Sequence, residues 1–423
     1  MMHFGKTFAA LLLGAASAAA ISSASSAADA VSAEASTAGF NWSGIYVGFG
    51  GGVGAVKHAF EISSPPMRST DLGAGGIFGE VTVGYDYMLS DRVLIGAFAD
   101  ARFGNIGLSM EVGGPEGKIT NNYGFDVAAR LGYLLTPTTL GYALGGYSWQ
   151  HTDVDFPGPA GFDLDSDRDG YVLGLGVETV IATNWTLKSE YRYANYGTEP
   201  FIGVGGPDTE TSTHTFHIGA NYRLGAQNGG ATFSAPAYSW TGFYVGGALG
   251  AGAITDEINV GGGQLNGIGG DGIFGELSVG YDHELNDTWV AGIQIGGRYS
   301  GMTTVLGEDP SGSYKGKADY GFDVLARVGA KLNETTLAYV LGGYSWQHVK
   351  EEMTGSGLSD SFDWSVDGFS VGGGLETAVS SNIAVNLEYR YSRFEGQDYG
   401  TGGAYETVPA FHTVRVGAKY KFN

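Results

Sequence analysis

Phe125-Asp-Val-Ala-Ala-Arg130-Leu-Gly-Tyr-Leu-Leu135 alternates with a period of two. Phe125, Val127, Ala129, Leu131, Tyr133 and Leu135 share one face; Asp126, Ala128, Arg130, Gly132 and Leu134 share the other. A repeat of 180° per residue marks a strand with two unlike faces, and helical spacing does not fit it. From Trp185 to Tyr193 the split recurs, with Trp185, Leu187, Tyr191 and Tyr193 opposing Lys188, Glu190 and Arg192. A soluble sandwich would turn its aliphatic face inward and its charges to water. Here charges of both signs share a face with glycine, which suits a narrow barrel whose interior charges pair with one another. The aromatic and aliphatic face then meets lipid, where a charge would cost about 2–4 kcal/mol at the midplane.

The same reading predicts strands starting near Trp42, Ile77, Val93, Asn122, Thr138, Gly170, Trp185 and His214. Further along they start near Trp240, Ile273, Trp289, Asp319, Thr336, Gly368, Ile383 and His412. Tight turns at Ser90-Asp91-Arg92, Thr136-Pro137-Thr138 and Ala182-Thr183-Asn184 alternate with longer connections such as His58 to Gly75 and Thr152 to Asp169. Strands of about ten residues, with short turns on one side and long ones on the other, describe an outer-membrane barrel. The uncharged run Leu131 to Thr152 imitates a membrane helix, but Pro137 cuts it. On these registers the lumen charge network consists of Glu80, Arg102, Arg130, Glu178, Glu190 and Arg192, then Glu276, Arg298, Arg327, Glu376, Glu388 and Arg390.

Composition agrees. Of 423 residues 74 are Gly and 13% aromatic, while only 16% are charged. That is too aromatic for a disordered chain. Twenty-two Lys and Arg stand against 44 Asp and Glu, a net charge of −22 that repels phosphate backbones and argues against nucleic acid as a partner. Zero Cys excludes thiolate metal sites, disulfides and Cys nucleophiles. Met1 to Lys6 followed by the uncharged, Ala-rich Thr7 to Ala28 has the pattern of a secretory signal peptide. We expect a signal peptide at 1–27 and a mature N-terminal segment at 28–39.

The chain also repeats itself. Trp42-Ser-Gly-Ile-Tyr-Val-Gly returns at Trp240, Gly76-Ile-Phe-Gly-Glu at Gly272, and the run Gly145 to His151 returns unchanged from Gly342 to His348. Two copies, 40–224 and 240–423, flank the Gly/Ala/Ser-rich linker 225–239. The expected fold is therefore all-β, a transmembrane antiparallel up-and-down β-barrel formed as two tandem eight-stranded barrels. The alternative is one sixteen-stranded barrel, which would leave an aqueous channel where eight strands leave a filled interior.

The first-strand motif Trp42-x-Gly-x-Tyr-Val-Gly, Gly146-Tyr-Ser-Trp149, Glu190-Tyr-Arg-Tyr193 and the closing His412-Thr-x-x-x-Gly-x-x-Tyr420 together carry a resemblance. They resemble the small eight-stranded outer-membrane barrels of alpha-proteobacteria, called porin-like proteins or major surface antigens, and cover nearly all of both copies. The resemblance implies an OmpA-like membrane domain at the cell outer membrane, with roles in envelope integrity and external contacts. Its implied partners are outer-membrane lipid and lipopolysaccharide, the barrel-assembly machinery during insertion, and host or surface ligands. A porin-type diffusion pore with cation preference, or surface haem or ligand binding, is the alternative function. Two features depart from the family's pattern: the duplication, and Asn423 following the aromatic Phe422.

Other motifs carry less. Asp165, Asp167, Asp169 and Gly170 fit the first half of a calcium loop, but Gly176 stands where the closing Glu belongs, so a solvated acidic loop is the expectation. His151, His348, His214 and His412 are expected near the outer rim, as polar lining rather than as haem or metal ligands. Gly50-x-Gly52-x-x-Ala55 imitates a dinucleotide fingerprint inside a strand, with no helix to follow. Trp42, Trp149, Trp185, Trp240, Trp289 and Trp346 are expected in interfacial girdles. No Asp/His or Ser/His set is specific enough to name as catalytic, so the reading is a non-enzyme with no cofactor and no metal.

Overall fold

The computed structural model describes residues 40–422 apart from 64–65, 70, 112–115, 158–160, 201–207, 227–232, 261–262, 356–357 and 400–404. The segments read as signal peptide (1–27) and mature N-terminus (28–39), and the middle of the linker, lie outside the described residues. Every regular element among the described residues is a strand. The first copy holds β1 (Gly44–Ser63), β2 (Pro66–Ser69), β3 (Leu72–Met88), β4 (Val93–Glu111), β5 (Gly117–Thr136), β6 (Thr139–Phe156), β7 (Phe162–Ala182), β8 (Trp185–Pro200) and β9 (Asp208–Arg223). The second holds β10 (Gly242–Val260), β11 (Gly263–Glu284), β12 (Trp289–Asp309), β13 (Gly312–Lys331), β14 (Thr336–Gly355), β15 (Leu358–Ala378), β16 (Ile383–Phe394), β17 (Gln397–Tyr399), β18 (Tyr405–Val408) and β19 (Ala410–Phe422).

Antiparallel pairing runs β1–β3–β4–β5–β6–β7–β8–β9 and returns, with β9 against β1 from Tyr46↔Arg223 to Glu61↔Asp208. The second copy runs β10–β11–β12–β13–β14–β15–β16–β19 and closes with Phe243↔Phe422 through Ile254↔Phe411. β9 has both edges satisfied, by β8 and β1, so it offers none to β10. Two rings of eight form, and the sixteen-strand alternative does not. The short β2 folds back on β1, and the β17–β18 hairpin extends the second ring beside β10.

The strands are longer than the sequence suggested. The segments expected as long connections, His58 to Gly75 and Thr152 to Asp169, are mostly strand, since β1 runs to Ser63 and β7 starts at Phe162. Their Asp, Gly and Thr content marks where lipid ends rather than where pairing ends. Backbone hydrogen bonding continues into water while the outward face turns polar.

Within the membrane-facing part the pleat separates two environments. On β5, Phe125, Val127 and Leu131 are 38%, 50% and 60% exposed, while Asp126 and Arg130 are 0% and 4%. Outward apolar exposure is the lipid contact; the inward side chains fill the ring. Glycine sets the fit at Gly84 and Gly280. A Cβ there would lie 2.4 Å from the ring carbon Cζ of Tyr46 or Tyr244, so only glycine lets these rings lie across the lumen.

Candidate functional site

The interior of each ring is its chemically dense region. In the first, Arg130 Nε donates to Asp86 at 2.9 Å and Nη1 to Glu178 at 2.8 Å. Arg223 spans the same two carboxylates at 2.8 and 2.9 Å and also donates to the Trp42 carbonyl. Above them Arg192 meets Asp126 at 2.7 Å, Glu190 and Asp100, and Arg102 meets Asp126 at 2.9 Å. Lys188 and His217 both hold Glu80 at 2.7 Å, and the Tyr142 hydroxyl donates to Glu190 at 2.6 Å. Apart from the half-buried Arg102, these charges are buried. A carboxylate or guanidinium removed from water persists as an ion only with partners such as these.

The second ring builds the same design from partly different residues. Arg327 joins Asp282 and Glu376 at 2.8 and 2.6 Å. Where the first ring has the single Arg223, Lys421 holds Asp282 at 3.1 Å and Lys419 holds Glu376 at 2.7 Å. Arg390 reaches Glu276 at 3.2 Å, Asp323 at 3.1 Å and Glu388, while Arg298 meets Asp323 at 2.8 Å and Arg415 meets Glu276. Tyr339 donates to Glu388 at 2.6 Å, as its counterpart Tyr142 does to Glu190.

Sequence reasoning missed Arg223, His217, Arg415, Lys419 and Lys421, which close each network from the last strand. Parity could have found them. His217, Gly219, Asn221 and Arg223 alternate with Ile218, Ala220 and Tyr222, the same polar-and-small against apolar pattern seen on β5.

Both ends of the charged layer are stoppered by apolar side chains. At the turn end, Trp42 is 1% and Trp240 2% exposed. Trp42 packs among Leu94, Leu134 and Leu140 and donates from Nε1 to the Pro137 carbonyl at 3.2 Å; Trp240 packs among Val290, Leu325 and Leu337. These two tryptophans are therefore plugs and not girdle residues. Their parity with Tyr46 and Tyr244 turns them inward, while the ring cations Arg223 and Lys421 lie over their indoles at 4.9 and 6.0 Å. At the opposite end, Val56, Phe78 and Ile106, with Leu108, Ile119 and Val154 beyond them, fill the first ring. Ile254, Met302, Val366, Phe394 and Phe411 fill the second. A cavity of about 30 Å³ between Phe78, Arg102, Ile106 and Gln150 is left in the first lumen, room for about one water.

Trp364 packs against the second ring's inner stopper, whereas Trp149, Trp185, Trp289 and Trp346 face outward. Trp149 stacks on Phe125 at 5.4 Å, and Tyr123 on His151 at 4.6 Å; Phe322, Trp346, Tyr320 and His348 repeat this ladder at 5.6 and 4.4 Å. Trp185 meets Tyr222 edge-on at 5.1 Å, and Trp289 is partly exposed.

Beyond the ladder, Asp163, Asp165, Asp167 and Asp169 lie on strand β7 and not on a loop, facing Asp155, Asp153, His151 and Trp149 across the β6 register. Spaced by two along an extended strand, the four carboxylates do not converge as calcium ligands would. His151 Nδ1 bonds Asp167 at 2.6 Å and Nε2 lies 3.0 Å from Asp153; the hydrogen bond to Asp167 raises its pKa against desolvation, and the charges of Asp153, Asp167 and Asp165 add to the rise. Among the described residues His151, Asp153 and Asp165 bring ligand-type atoms within 4.8 Å of one another. His348 bonds Asp319 at 2.8 Å. His214 and His412 bond Tyr191 and Tyr389 at 2.7 and 2.8 Å on the outer walls, where the two rings touch.

Comparison with known proteins gives a consistent result. The family model for the outer membrane protein beta-barrel domain matches residues 7–223 and again 229–422. The 31 kDa outer-membrane immunogenic protein of Brucella melitensis biotype 1 is 34% identical over 205 residues, covering 44% of this chain and 85% of that protein. A 22 kDa outer membrane protein of Rhizobium leguminosarum bv. viciae is 29% identical over 192 residues, covering 44% of this chain and 80% of its own length. Among solved structures, Neisserial surface protein A aligns at 17% identity and a TM-score of 0.28, over 43% of this chain and 98% of that one.

Proposed function

The chain belongs to the family of the outer membrane protein beta-barrel domain and resides in the outer membrane among its lipids, and we propose that its work there is structural and contact-making. Two plugged rings support the envelope and carry the outer strand extensions to the cell surface. One observation carries the reading: each lumen is filled, in sequence, by a tryptophan plug, a paired charge layer and an apolar stopper. A diffusion pore needs a continuous wet path, and eight-stranded rings packed with side chains leave none. The repeated outward ladder of Tyr123, Phe125 and Trp149 with Tyr320, Phe322 and Trp346 suits contact with the headgroup and sugar region of lipopolysaccharide. Insertion by the barrel-assembly machinery and contact with surface ligands complete the proposal, which assigns no reaction and no cofactor.

Planar-bilayer recording tests it. The purified chain should pass no large, steady current. A stable conductance with cation preference would replace this reading with transport.

A further inference from the structure

The two rings do not merely share a linker; they meet along a seam with an internal two-fold pattern. At the turn end, four hydroxyls form a line: Thr179 to Thr139 at 2.8 Å, Thr139 to Thr336 at 2.9 Å and Thr336 to Thr377 at 3.2 Å. Thr139 and Thr336 are counterparts in the duplication, as are Thr179 and Thr377, so the line reads the same from either end.

Further along the seam, Tyr191 and His214 from β8 and β9 face Tyr389 and His412 from β16 and β19, again counterparts, and His214 Nε2 lies 3.8 Å from Asp271 of the other ring. Phe216 stacks on Tyr389 at 5.2 Å, and the two, with Leu387 and Val414, form one buried cluster. All four point away from their own lumens. Phe216 is 4% exposed although Ile218, next on the same face, is 43% exposed.

At the outer end the pairing becomes reciprocal. Leu72 pairs with its counterpart Ile268. Arg68 and Ser69 from the first hairpin of ring one pair with Glu308 and Gly307 of β12. In return Gln264 to Asn266, from the first hairpin of ring two, pair with Glu111 to Ser109 of β4. Gly73 and its counterpart Gly269 touch so closely that a Cβ on either would lie 2.6–2.8 Å from the other's backbone. Lys57 and Asp271 form an ion pair across the same boundary.

Contact of each element with its own counterpart, and exchange of equivalent arms, define an isologous interface. A tether holding two barrels at random would not produce it. The polar content fits as well: an imidazole and a phenol on an outer wall are costly against lipid unless another protein surface covers them. We propose that this seam is a homophilic interface, in which the β8–β9 wall of one ring recognises the β16–β19 wall of the other. The chain is thus an intramolecular dimer held by its seam, and the partner that this face fits is a second copy of the same repeat. The proposal stands apart from the question of conductance.

The chain's lack of cysteine makes the test direct. A protease site placed between Gly229 and Gly230 of the full chain is cut after folding in mild detergent. The halves should co-elute. In the same background Thr139→Cys with Thr336→Cys should oxidise to a disulfide, giving one species on a non-reducing denaturing gel that reductant splits. Leu131→Cys with Val328→Cys, both on exposed walls, should not. Phe216→Glu should release the cut halves while each still shifts in mobility on boiling, which separates loss of the seam from loss of folding. Halves that part in the unsubstituted chain, or a Thr139/Thr336 thiol pair that stays reduced, overturn the proposal.

Discussion

Replacing Arg130 by Met removes one of the two guanidinium groups that bridge Asp86 and Glu178. Both carboxylates are 0% exposed, so neither turns to water when a partner leaves. Breaking a buried pair from one side costs about 3–5 kcal/mol. The lower end applies here, because Arg223 still reaches Asp86 at 2.8 Å and Glu178 at 2.9 Å. Methionine keeps an unbranched stem between the rings of Tyr46 and Tyr142, which flank the guanidinium carbon at 4.9 and 5.0 Å, so the void is small. A loss of about 3 kcal/mol, with a urea slope of about 2 kcal/mol/M, lowers the unfolding midpoint by about 1.5 M. Combining Arg130→Met with Arg223→Met leaves two buried acids without their shared cations, so the pair should cost more than the sum of the single losses. Tryptophan fluorescence of protein folded in lipid vesicles reads the transition. The comparator is Leu131→Ala, one residue along and facing lipid. An Arg130→Met midpoint no lower than that of Leu131→Ala would refute the view that the lumen charges hold one another in place.

Trp42→Ala should cost about 3–5 kcal/mol, the range for emptying a buried large aromatic site, and clearly more than the outward Trp289→Ala; equal losses in the same assay would remove Trp42 from the plug. His151 gains its raised pKa first from the hydrogen bond to Asp167, so its pairing is fully favourable below about pH 6.5 and is lost as pH rises through the raised value. An imidazole titration by NMR should show Asp167→Asn moving that pKa back down, and an unmoved titration would assign the shift elsewhere.

Much of this architecture could be read from residues alone, and the gaps have physical causes. Alternation from Phe125 to Leu135 carried the two faces, because lipid and lumen impose opposite demands on neighbouring residues. Duplication was visible in runs such as Gly145 to His151. Strand length was not: Asp163 to Asp169 looks like a loop by composition, and only pairing with β6 makes it strand. Trp42 and Trp240 misled because tryptophan near a strand end is usually interfacial, although their parity with Tyr46 and Tyr244 pointed inward. The seam left no trace in a single copy. Tyr191, His214 and Phe216 sit on the face that elsewhere meets lipid, and only the neighbouring ring explains them.

Because β1 pairs with β9, the first ring needs nothing from beyond Arg223 to complete itself, and the second is self-sufficient from Gly242 to Phe422. One large ring would have made Gly44 wait for the final strand. The entropy of that wider closure is modest, about 0.6 kcal/mol for each doubling of length. Waiting time matters more, since an unpaired strand edge in hydrocarbon leaves its backbone donors and acceptors without partners. Here the exposed edge of β1 is retired halfway through the chain, before the second copy needs an edge of its own. Each sheet can therefore shut within its own copy, independently of the hairpins exchanged between the rings. What joins the two copies is the meeting of two complete surfaces rather than the closing of a shared sheet.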